Sequence, residues 1–326
     1  MRKFAKKARS ARIKPQLLTK FGNSAIIQER KAFGNRRDLM ELSELIKCAE
    51  RHCLHGVMVS QNGRLIAEWH SEPDIRRNVY SAAKSVTAMA LGFAVQEGLI
   101  SLDEKLSAAF PDDMPAEVGR NLADARVRDL MTMCLGQEKA ELMGAMRPLY
   151  PQDDWVKYAL ALPFVYKPGS KFVYNNVGPY LAGVLVQRRA GCDMVSYLKP
   201  RLFTPLGIKC PMWETDPMGY TFGSGGLFLS LAELHRMGQF CLDRGSCAGK
   251  QLLSANWISE CTKPQGAQFY GYGFWRGEYN SFRMDGKYSQ LSVVMPDTDS
   301  VVSLMAESHD SKALLRTVYD TVCSQL

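Results

Sequence analysis

The segments that favour β-strands lie at the two ends of this chain, with a long helical stretch between them. Near the N-terminus, two runs of β-forming residues at 56–60 and 64–69 are joined through Asn62-Gly63, a strong hairpin signal. Three runs of the same kind near the C-terminus are residues 270–275, 289–295 and 300–306. This arrangement predicts one antiparallel sheet assembled from both ends of the chain, with a helical region inserted between them.

Helical periodicity accounts for most of the remaining sequence. Apolar residues recur at helical spacing over residues 38–52, and residues 82–97 form an apolar helical run that ends at Gly98. Further helical segments follow as far as about residue 205, and a last helix is predicted over 311–324. The predicted fold class is therefore α+β.

The same pattern predicts how the chain is divided. We expect one unit over residues 38–326, with a sheet subdomain from about 38–78 and 215–326 and a helical subdomain from about 79–214. This length can bury a large core without disulfides or other cross-links.

The formal net charge of +8 comes from the N-terminal arm. Residues 1–20 contain eight lysines and arginines and no acidic residue, which equals the excess of 41 basic over 33 acidic residues in the whole chain. The remainder is neutral by the same count, so we expect no nucleic-acid-binding body. We interpret residues 1–37 as a basic, disordered arm; contact with nucleic acid or an anionic membrane, or a role as an organelle transit peptide, are the alternatives.

Targeting and cysteine usage favour a reducing compartment. No stretch reaches the roughly 18 consecutive apolar residues of a membrane span, and no apolar run of a secretory signal follows the basic arm. The nine cysteines are scattered, without a Cys-x-x-Cys pair or zinc-ligand spacing. We therefore expect a cytoplasmic protein with no metal and no other cofactor.

Ser81 and Lys84 begin the apolar helix and are three residues apart, which places both side chains on one helical face. Serine is a common N-cap residue, so capping alone explains Ser81 but not the lysine. A capping box would have Glu or Gln, not lysine, at position 84, because a helix N-terminus favours anions. If Lys84 is partly buried near this helix end, its pKa should be lowered, and its neutral amine can then act as a base towards the Ser81 hydroxyl.

A second candidate element is Tyr174-Asn175-Asn176, in a loop before a predicted helix from about residue 178 to 190. One interpretation makes Asn176 an N-cap and Tyr174 a packed aromatic residue. The other is functional: a tyrosine hydroxyl near a lysine can shuttle protons, and an amide side chain can hold a substrate carbonyl or the lysine.

A third candidate element is Lys287-Tyr288-Ser289-Gln290, which leads into a predicted strand. A lysine at a strand end is ordinarily a solvated edge residue. Lys287 gains significance only in combination with the two earlier elements.

Ser-x-x-Lys, then Tyr-x-Asn, then a lysine near the C-terminal strands resembles the three-part motif of class C β-lactamases, DD-peptidases and related esterases. Four longer segments also resemble that family, namely residues 79–106, 127–133, 168–176 and 223–234. The likeness covers roughly residues 50–310. It departs at Ser289, where the family usually has glycine, while Gln290 lies six residues before Pro296, as in the Gly-Gln run of many relatives.

The resemblance implies a β-lactamase/transpeptidase-like fold with an active site between the sheet and the helical part. It implies that Ser81 attacks a carbonyl, that Lys84 takes its proton and that Tyr174 completes the proton path. The backbone amides of Ser81 and Gln290 map to the oxyanion hole.

By the same resemblance, Asn176 and Lys287 orient the substrate, and Ser289 lies beside it. The expected partner is a small-molecule ester, amide or β-lactam, with no nucleic acid and no membrane span, and the oligomeric state is not predicted.

The expected function is hydrolysis of an ester or amide through a Ser81 acyl-enzyme, by an intracellular esterase or amidase. One alternative is a true β-lactamase or D-amino-acid peptidase. Another is a catalytically inert binding protein that keeps the penicillin-binding fold.

Overall fold

The computed structural model describes residues 40–326. The arm predicted over residues 1–37 lies outside the described residues. The proposed division into sheet and helical subdomains stays a prediction.

One antiparallel sheet joins the two ends of the chain, in the order β2-β1-β11-β10-β9-β8. Strand β1 pairs with β11, so Val59 lies opposite Val302 although the two are far apart in sequence. Asn62 and Gly63 both have positive φ, 51° and 70°, as the tight β1–β2 turn requires. The predicted α+β fold and its composite antiparallel sheet are confirmed.

The strands of the described chain are β1 (Leu54–Gln61), β2 (Arg64–His70), β3 (Arg77–Asn78), β4 (Met212–Trp213), β5 (Leu227–Leu229), β6 (Ser246–Cys247), β7 (Lys250–Gln251), β8 (Trp275–Arg276), β9 (Phe282–Gly286), β10 (Gln290–Met295) and β11 (Ser300–Ala306). The α-helices are α1 (Ser43–Lys47), α2 (Ala49–His52), α3 (Ala83–Gln96), α4 (Leu106–Ala109), α5 (Arg120–Asp124), α6 (Trp155–Ala161), α7 (Val177–Ala190), α8 (Met194–Leu198), α9 (Leu231–Leu242), α10 (Ala255–Thr262) and α11 (Ser311–Thr321). A π-helical turn, Lys199–Phe203, follows α8.

Helices cover both faces of the large sheet. Val302 and Leu304 of β11 pack in a core with Leu314 and Val318 of α11, whereas Val301 on the other face belongs to the core that contains the inserted helices. This two-sided burial explains why β10 and β11 read as continuous apolar runs rather than as alternating ones.

Two predicted elements differ from the structure. The helix expected over residues 38–52 is two short helices, α1 and α2, separated at Cys48. The strand expected over 270–275 includes only Trp275, which starts β8. Gly273 has φ 75°, and a Cβ at this position would lie 2.7 Å from the Lys84 carbonyl oxygen, so this backbone follows the surface of α3 rather than a strand.

A small three-stranded sheet, in the order β3-β5-β4, leads into the first candidate motif. The Val79 backbone N–H donates to the Leu227 carbonyl at 2.8 Å, which extends this pairing to within two residues of Ser81. Helix α3 then packs against α7, which begins just after the Tyr174 motif. The first two motifs are thus presented side by side by packed helices.

Candidate active site

Ser81 lies in a tight 3₁₀ turn, Tyr80–Ala82, that precedes α3. Tyr80 has φ 46°, a conformation that non-glycine residues rarely adopt, and its backbone N–H donates to Asn78 Oδ1 at 2.7 Å. Helix α3 begins at Ala83, and its N-cap makes no side-chain hydrogen bond, so capping is not the role of Ser81. The turn leaves Ser81 half-buried and next to Lys84.

Lys84 is completely buried, and its amine lies against the Ser81 hydroxyl. Its Nζ donates to Ser81 Oγ at 3.0 Å and to the Ser224 carbonyl oxygen at 2.8 Å. Burial, together with a smaller effect of the positive charge of Arg147, lowers the pKa of Lys84 to about 7. A substantial share of Lys84 is therefore neutral near pH 7, as a general base requires.

Tyr174 lies on the other side of Lys84. The Lys84 Nζ is 5.1 Å from the centroid of the Tyr174 ring, and that ring stacks on Trp275 at a centroid distance of 5.4 Å. Burial raises the pKa of Tyr174 to about 12, while a smaller interaction with the Ser81 side chain lowers it. The phenol is therefore protonated at neutral pH and can relay a proton.

The two asparagines of the second motif have different roles. Asn175 Oδ1 accepts from the Val177 backbone N–H at 2.9 Å, at the start of α7. Asn176 occupies the N-cap position without a capping bond; its Nδ2 donates to the Leu142 carbonyl at 2.8 Å, and its buried Oδ1 has no partner among the described residues. Asn176 thus keeps a buried acceptor without a donor among the described residues.

A glycine-rich segment, residues 223–226, forms the floor beneath Lys84. Ser224 accepts from Lys84 through its carbonyl, and its hydroxyl donates to the Asn176 carbonyl at 2.6 Å. Gly226 has φ 76°, and a Cβ there would lie 2.5 Å from Glu214 Oε2, so a larger residue would disturb this floor. The sequence identified this segment only as part of the family resemblance. The structure shows that it contacts Lys84 through the Ser224 carbonyl.

The third predicted motif, Lys287 to Gln290, connects β9 to β10. Lys287 is exposed, with its Nζ 4.6 Å from the centroid of the Tyr288 ring, and Tyr288 in turn packs edge to face on Tyr80, the residue before Ser81, at a centroid distance of 5.4 Å. Ser289 is completely buried with φ 70°, and its Oγ has no described partner. The substrate-binding roles of Lys287 and Ser289 stay predictions.

Gln290 begins β10 and lies opposite Gly286 of β9. Its side chain is buried, and its Nε2 donates to the Ala306 carbonyl at 2.5 Å. The role of its backbone amide in an oxyanion hole stays a prediction.

The end of β9 was missed by sequence analysis and contacts the segment that carries Ser81. A Cβ on Gly286 would lie 2.1 Å from the Val79 carbonyl oxygen, so only glycine fits this approach. Asp285, the residue before Gly286, raises the pKa of Tyr174 through its negative charge. The Met284-Asp285-Gly286 end of β9 therefore borders the Ser81–Tyr174 region, although no motif in the sequence indicated it.

A second charged side chain, Arg147, influences the site from the helical part of the chain. Its guanidinium lies 4.4 Å from the centroid of the Phe222 ring and donates to Glu214 Oε2 at 3.0 Å. Arg147 also lines an open cavity of about 500 Å³ together with Tyr150 and Trp155. Arg147 thus links this cavity electrostatically to Lys84.

Residues 40–326 contain no cluster of three or more His, Cys, Asp or Glu side chains placed to hold a metal ion. Within the same residues, no helix has both the length and the apolar character needed to cross a membrane.

Comparison with known proteins identifies relatives of this chain. An alignment over 160 residues, which covers 44% of this chain and 35% of the relative, shows 24% identity to an N-acetylmuramyl-L-alanine amidase of Bacillus subtilis. A second alignment, over 147 residues, covers 39% of this chain and 35% of the relative and shows 30% identity to a monacolin J acid methylbutanoyltransferase of Aspergillus terreus. The matched stretch thus spans about a third of the length of each of these curated relatives.

Solved structures share the fold. The octameric penicillin-binding protein homologue from Pyrococcus abyssi superposes with a TM-score of 0.67 at 18% identity, over 88% of this chain and 78% of that one. The fold is thus the one shared by β-lactamase-like and penicillin-binding-protein-like chains. The β-lactamase family model matches residues 49–320, and this chain belongs to the β-lactamase family.

Proposed function

We propose that this protein is a serine hydrolase that cleaves esters or amides through an acyl-enzyme on Ser81. The observation that carries the proposal is the fully buried Lys84, whose Nζ lies 3.0 Å from Ser81 Oγ and whose pKa is lowered by burial to about 7. A buried lysine with no carboxylate partner among the described residues is costly to keep as a cation, and it supplies a base at the hydroxyl.

The reaction proceeds in two balanced steps. Neutral Lys84 takes the proton of Ser81 as Oγ attacks the substrate carbonyl, and the proton passes through Lys84 and Tyr174 to the departing alcohol or amine. The acyl group is then bonded to Ser81 Oγ. Water, activated by the same pair, attacks this ester, and Ser81 Oγ leaves with a proton.

The developing oxyanion needs two donors. We propose the Ser81 backbone N–H as one and, from the resemblance, the Gln290 backbone N–H as the other. The contact between Gly286 and Val79 favours a second candidate, the backbone N–H of Lys287, because Lys287 directly follows the glycine that touches the Ser81 segment.

We propose an ester or amide, rather than a β-lactam, as the natural substrate. The names of the two curated relatives, an amidase and an acyltransferase, describe reactions at amide or ester carbonyls. The reducing compartment expected from the scattered cysteines also favours this substrate class over cell-wall peptides and β-lactams.

Covalent labelling tests the proposal directly. We expect a fluorophosphonate probe to modify Ser81 alone, as mapped by peptide mass spectrometry, and p-nitrophenyl acetate to be hydrolysed with a transient acyl-enzyme. The Ser81→Ala variant is expected to lose labelling and at least about 1,000-fold in kcat/KM. Ser303→Ala, which removes a serine buried beside His235, serves as the matched control and keeps both.

Nitrocefin and D-alanyl peptides complete the assay panel and separate the alternatives. Faster hydrolysis of nitrocefin or of D-alanyl peptides than of simple esters favours the β-lactamase or peptidase interpretation. Hydrolysis of none of them, with no labelling of Ser81, favours an inert binding protein.

A further inference from the structure

A carboxylate with one unused oxygen lies at the edge of the proposed site. Arg283 and Asp285 are two residues apart on β9 and therefore share a face of the sheet. Arg283 Nε donates to Asp285 Oδ2 at 2.8 Å, and its Nη1 donates to the Arg276 carbonyl at 3.1 Å. The arginine thus holds one oxygen of Asp285 in place.

The other oxygen, Oδ1, is free. No side chain or backbone group of the described residues donates to it, and about 25% of the Asp285 side-chain surface is exposed. Burial around the rest of the side chain raises the pKa of Asp285, and Arg283 opposes that effect. The geometry therefore leaves one carboxylate oxygen without a donor, on a side chain that Arg283 holds and that is largely buried.

The position of Asp285 is fixed by its neighbours on both sides. The next residue, Gly286, touches the Val79 carbonyl, two residues before Ser81. On the other side, Arg283 lies over the Trp275 ring at 5.9 Å, and Trp275 stacks on Tyr174. Asp285 is thus enclosed between the segment that carries the nucleophile and the aromatic wall that carries Tyr174.

The strand edge beside Asp285 is open to a substrate. Strand β8 pairs with β9 only through Phe282 and Arg283, so in the described chain Met284 to Gly286 have no partner strand on that side. An unpaired edge can bind the backbone of a peptide-like substrate. A substrate lying along it passes the Asp285 side chain before its carbonyl reaches Ser81.

We propose that Asp285 selects substrates that carry a protonated amine near the scissile carbonyl, with the ammonium bound to Asp285 Oδ1. This inference rests on the proposed function and names a substrate class for it. A charge-assisted hydrogen bond to a fixed, shielded carboxylate is stronger than one between neutral groups. Lys84 does not oppose the bound ammonium in the reactive state, because it must be neutral to take the Ser81 proton.

The test compares substrates that differ only in the amine. Alanine p-nitroanilide and N-acetylalanine p-nitroanilide, each as D and L forms, are assayed together with p-nitrophenyl acetate as a reference that has no amine. We expect wild-type kcat/KM to favour the free amine by at least about tenfold. This preference should disappear as the pH rises above about 8, where an α-amino group loses its proton.

Asp285→Asn keeps the size of the side chain and removes its charge. We expect it to abolish the preference for the free amine, so that kcat/KM for the free-amine anilide falls to that for the N-acetyl anilide; p-nitrophenyl acetate measures any general effect that the lost charge has through Tyr174. Glu307→Gln is the control, because Glu307 is exposed and its charge acts on Tyr80 but it lies outside β9. This control should keep the preference.

The outcomes separate the two proposals. If the wild type hydrolyses p-nitrophenyl acetate through Ser81 but shows no preference for the amine, the role of Asp285 is wrong and the serine hydrolase stands. An equal loss on all three substrates in Asp285→Asn also overturns the selectivity and indicates an effect through Tyr174. No turnover and no labelling of Ser81 refutes both proposals.

Discussion

A basic side chain is buried next to a serine hydroxyl at the candidate site, and the same arrangement recurs in the protein core, as at His235. Lys84 Nζ lies 3.0 Å from Ser81 Oγ, and His235 Nδ1 lies 3.0 Å from Ser303 Oγ. Burial lowers the pKa of both bases, to about 7 for Lys84 and about 4 for His235. By distance alone, the histidine pair resembles a base and its nucleophile as closely as the lysine pair does.

The two pairs differ in what surrounds them. Ser60 donates to Gln239 Oε1 at 3.1 Å, so it accepts from His235 Nε2, and His235 Nδ1 must then accept from Ser303. Ser292 completes the set through its hydroxyl, 2.9 Å from that of Ser303. Every side-chain group of this network is paired, and Ser303 has no exposed surface.

The Lys84 pair, in contrast, opens towards solvent. Ser81 and Tyr174 are both only half-buried, and Asn176 Oδ1 nearby lacks a described partner. A closed polar network stabilises a unique core, whereas an open one with spare hydrogen-bonding capacity can receive a substrate. The comparison therefore supports a structural role for His235 and the catalytic role that we propose for Lys84.

The largest expected effect comes from replacing Lys84. Lys84→Met removes the base but keeps a side chain of similar length, and kcat/KM should fall about 100- to 10,000-fold. Replacing a buried amine by an apolar group should not lower the melting temperature, which circular dichroism checks. Under the same conditions His235→Ala should keep kcat/KM within about threefold; the opposite ranking of these two variants would break the comparison.

Replacing His235 should instead reduce stability. His235→Ala leaves Ser60 and Ser303 without their partner and opens a cavity, so the free energy of unfolding should fall by about 2–4 kcal/mol. Urea unfolding measures the change, and Glu307→Gln, at an exposed position, is the control. An unchanged free energy of unfolding would show that this network is not structural.

The fold was largely predictable because burial patterns and turn residues are local signals. The Asn62-Gly63 turn and the apolar runs of β10 and β11 identified the sheet, and the Ser81–Lys84 spacing identified the central contact. The role of β9 was not predictable, because it depends on Gly286 meeting Val79 across a distance of more than 200 residues in sequence. The short β8 was overpredicted for a similar reason: the contact of Gly273 with α3 overrides its strand-like neighbours.

The pH dependence of activity sharpens the comparison further. Because Lys84 must be neutral and its pKa is about 7, kcat/KM should rise about tenfold from pH 6 to pH 8 and then level off. The His235 pKa of about 4 should leave no inflection in this range.

The pH dependence of the free energy of unfolding should instead follow His235. Between pH 6.5 and about 4, the unfolded chain binds a proton at His235 that the folded chain does not, so the free energy of unfolding falls as the pH falls through this window. His235→Ala should lack this part of the pH dependence.

The smallest expected effect concerns Ser289, a buried serine whose hydroxyl has neither a base nor a hydrogen-bond partner in the described chain. Its φ of 70° is unfavourable for any residue with a Cβ, and its buried hydroxyl is unpaired. Ser289→Gly removes both costs, so the free energy of unfolding should rise by about 1 kcal/mol, as measured by urea unfolding. Ser303→Ala, which removes a paired buried hydroxyl, is the control and should lower the free energy of unfolding in the same assay. Because the Ser289 side chain has no exposed surface, the ratio of kcat/KM for nitrocefin to that for p-nitrophenyl acetate should stay within about twofold. A larger change in that ratio would show that the Ser289 side chain does reach the substrate, and that burial in the free protein does not separate a structural serine from a functional one.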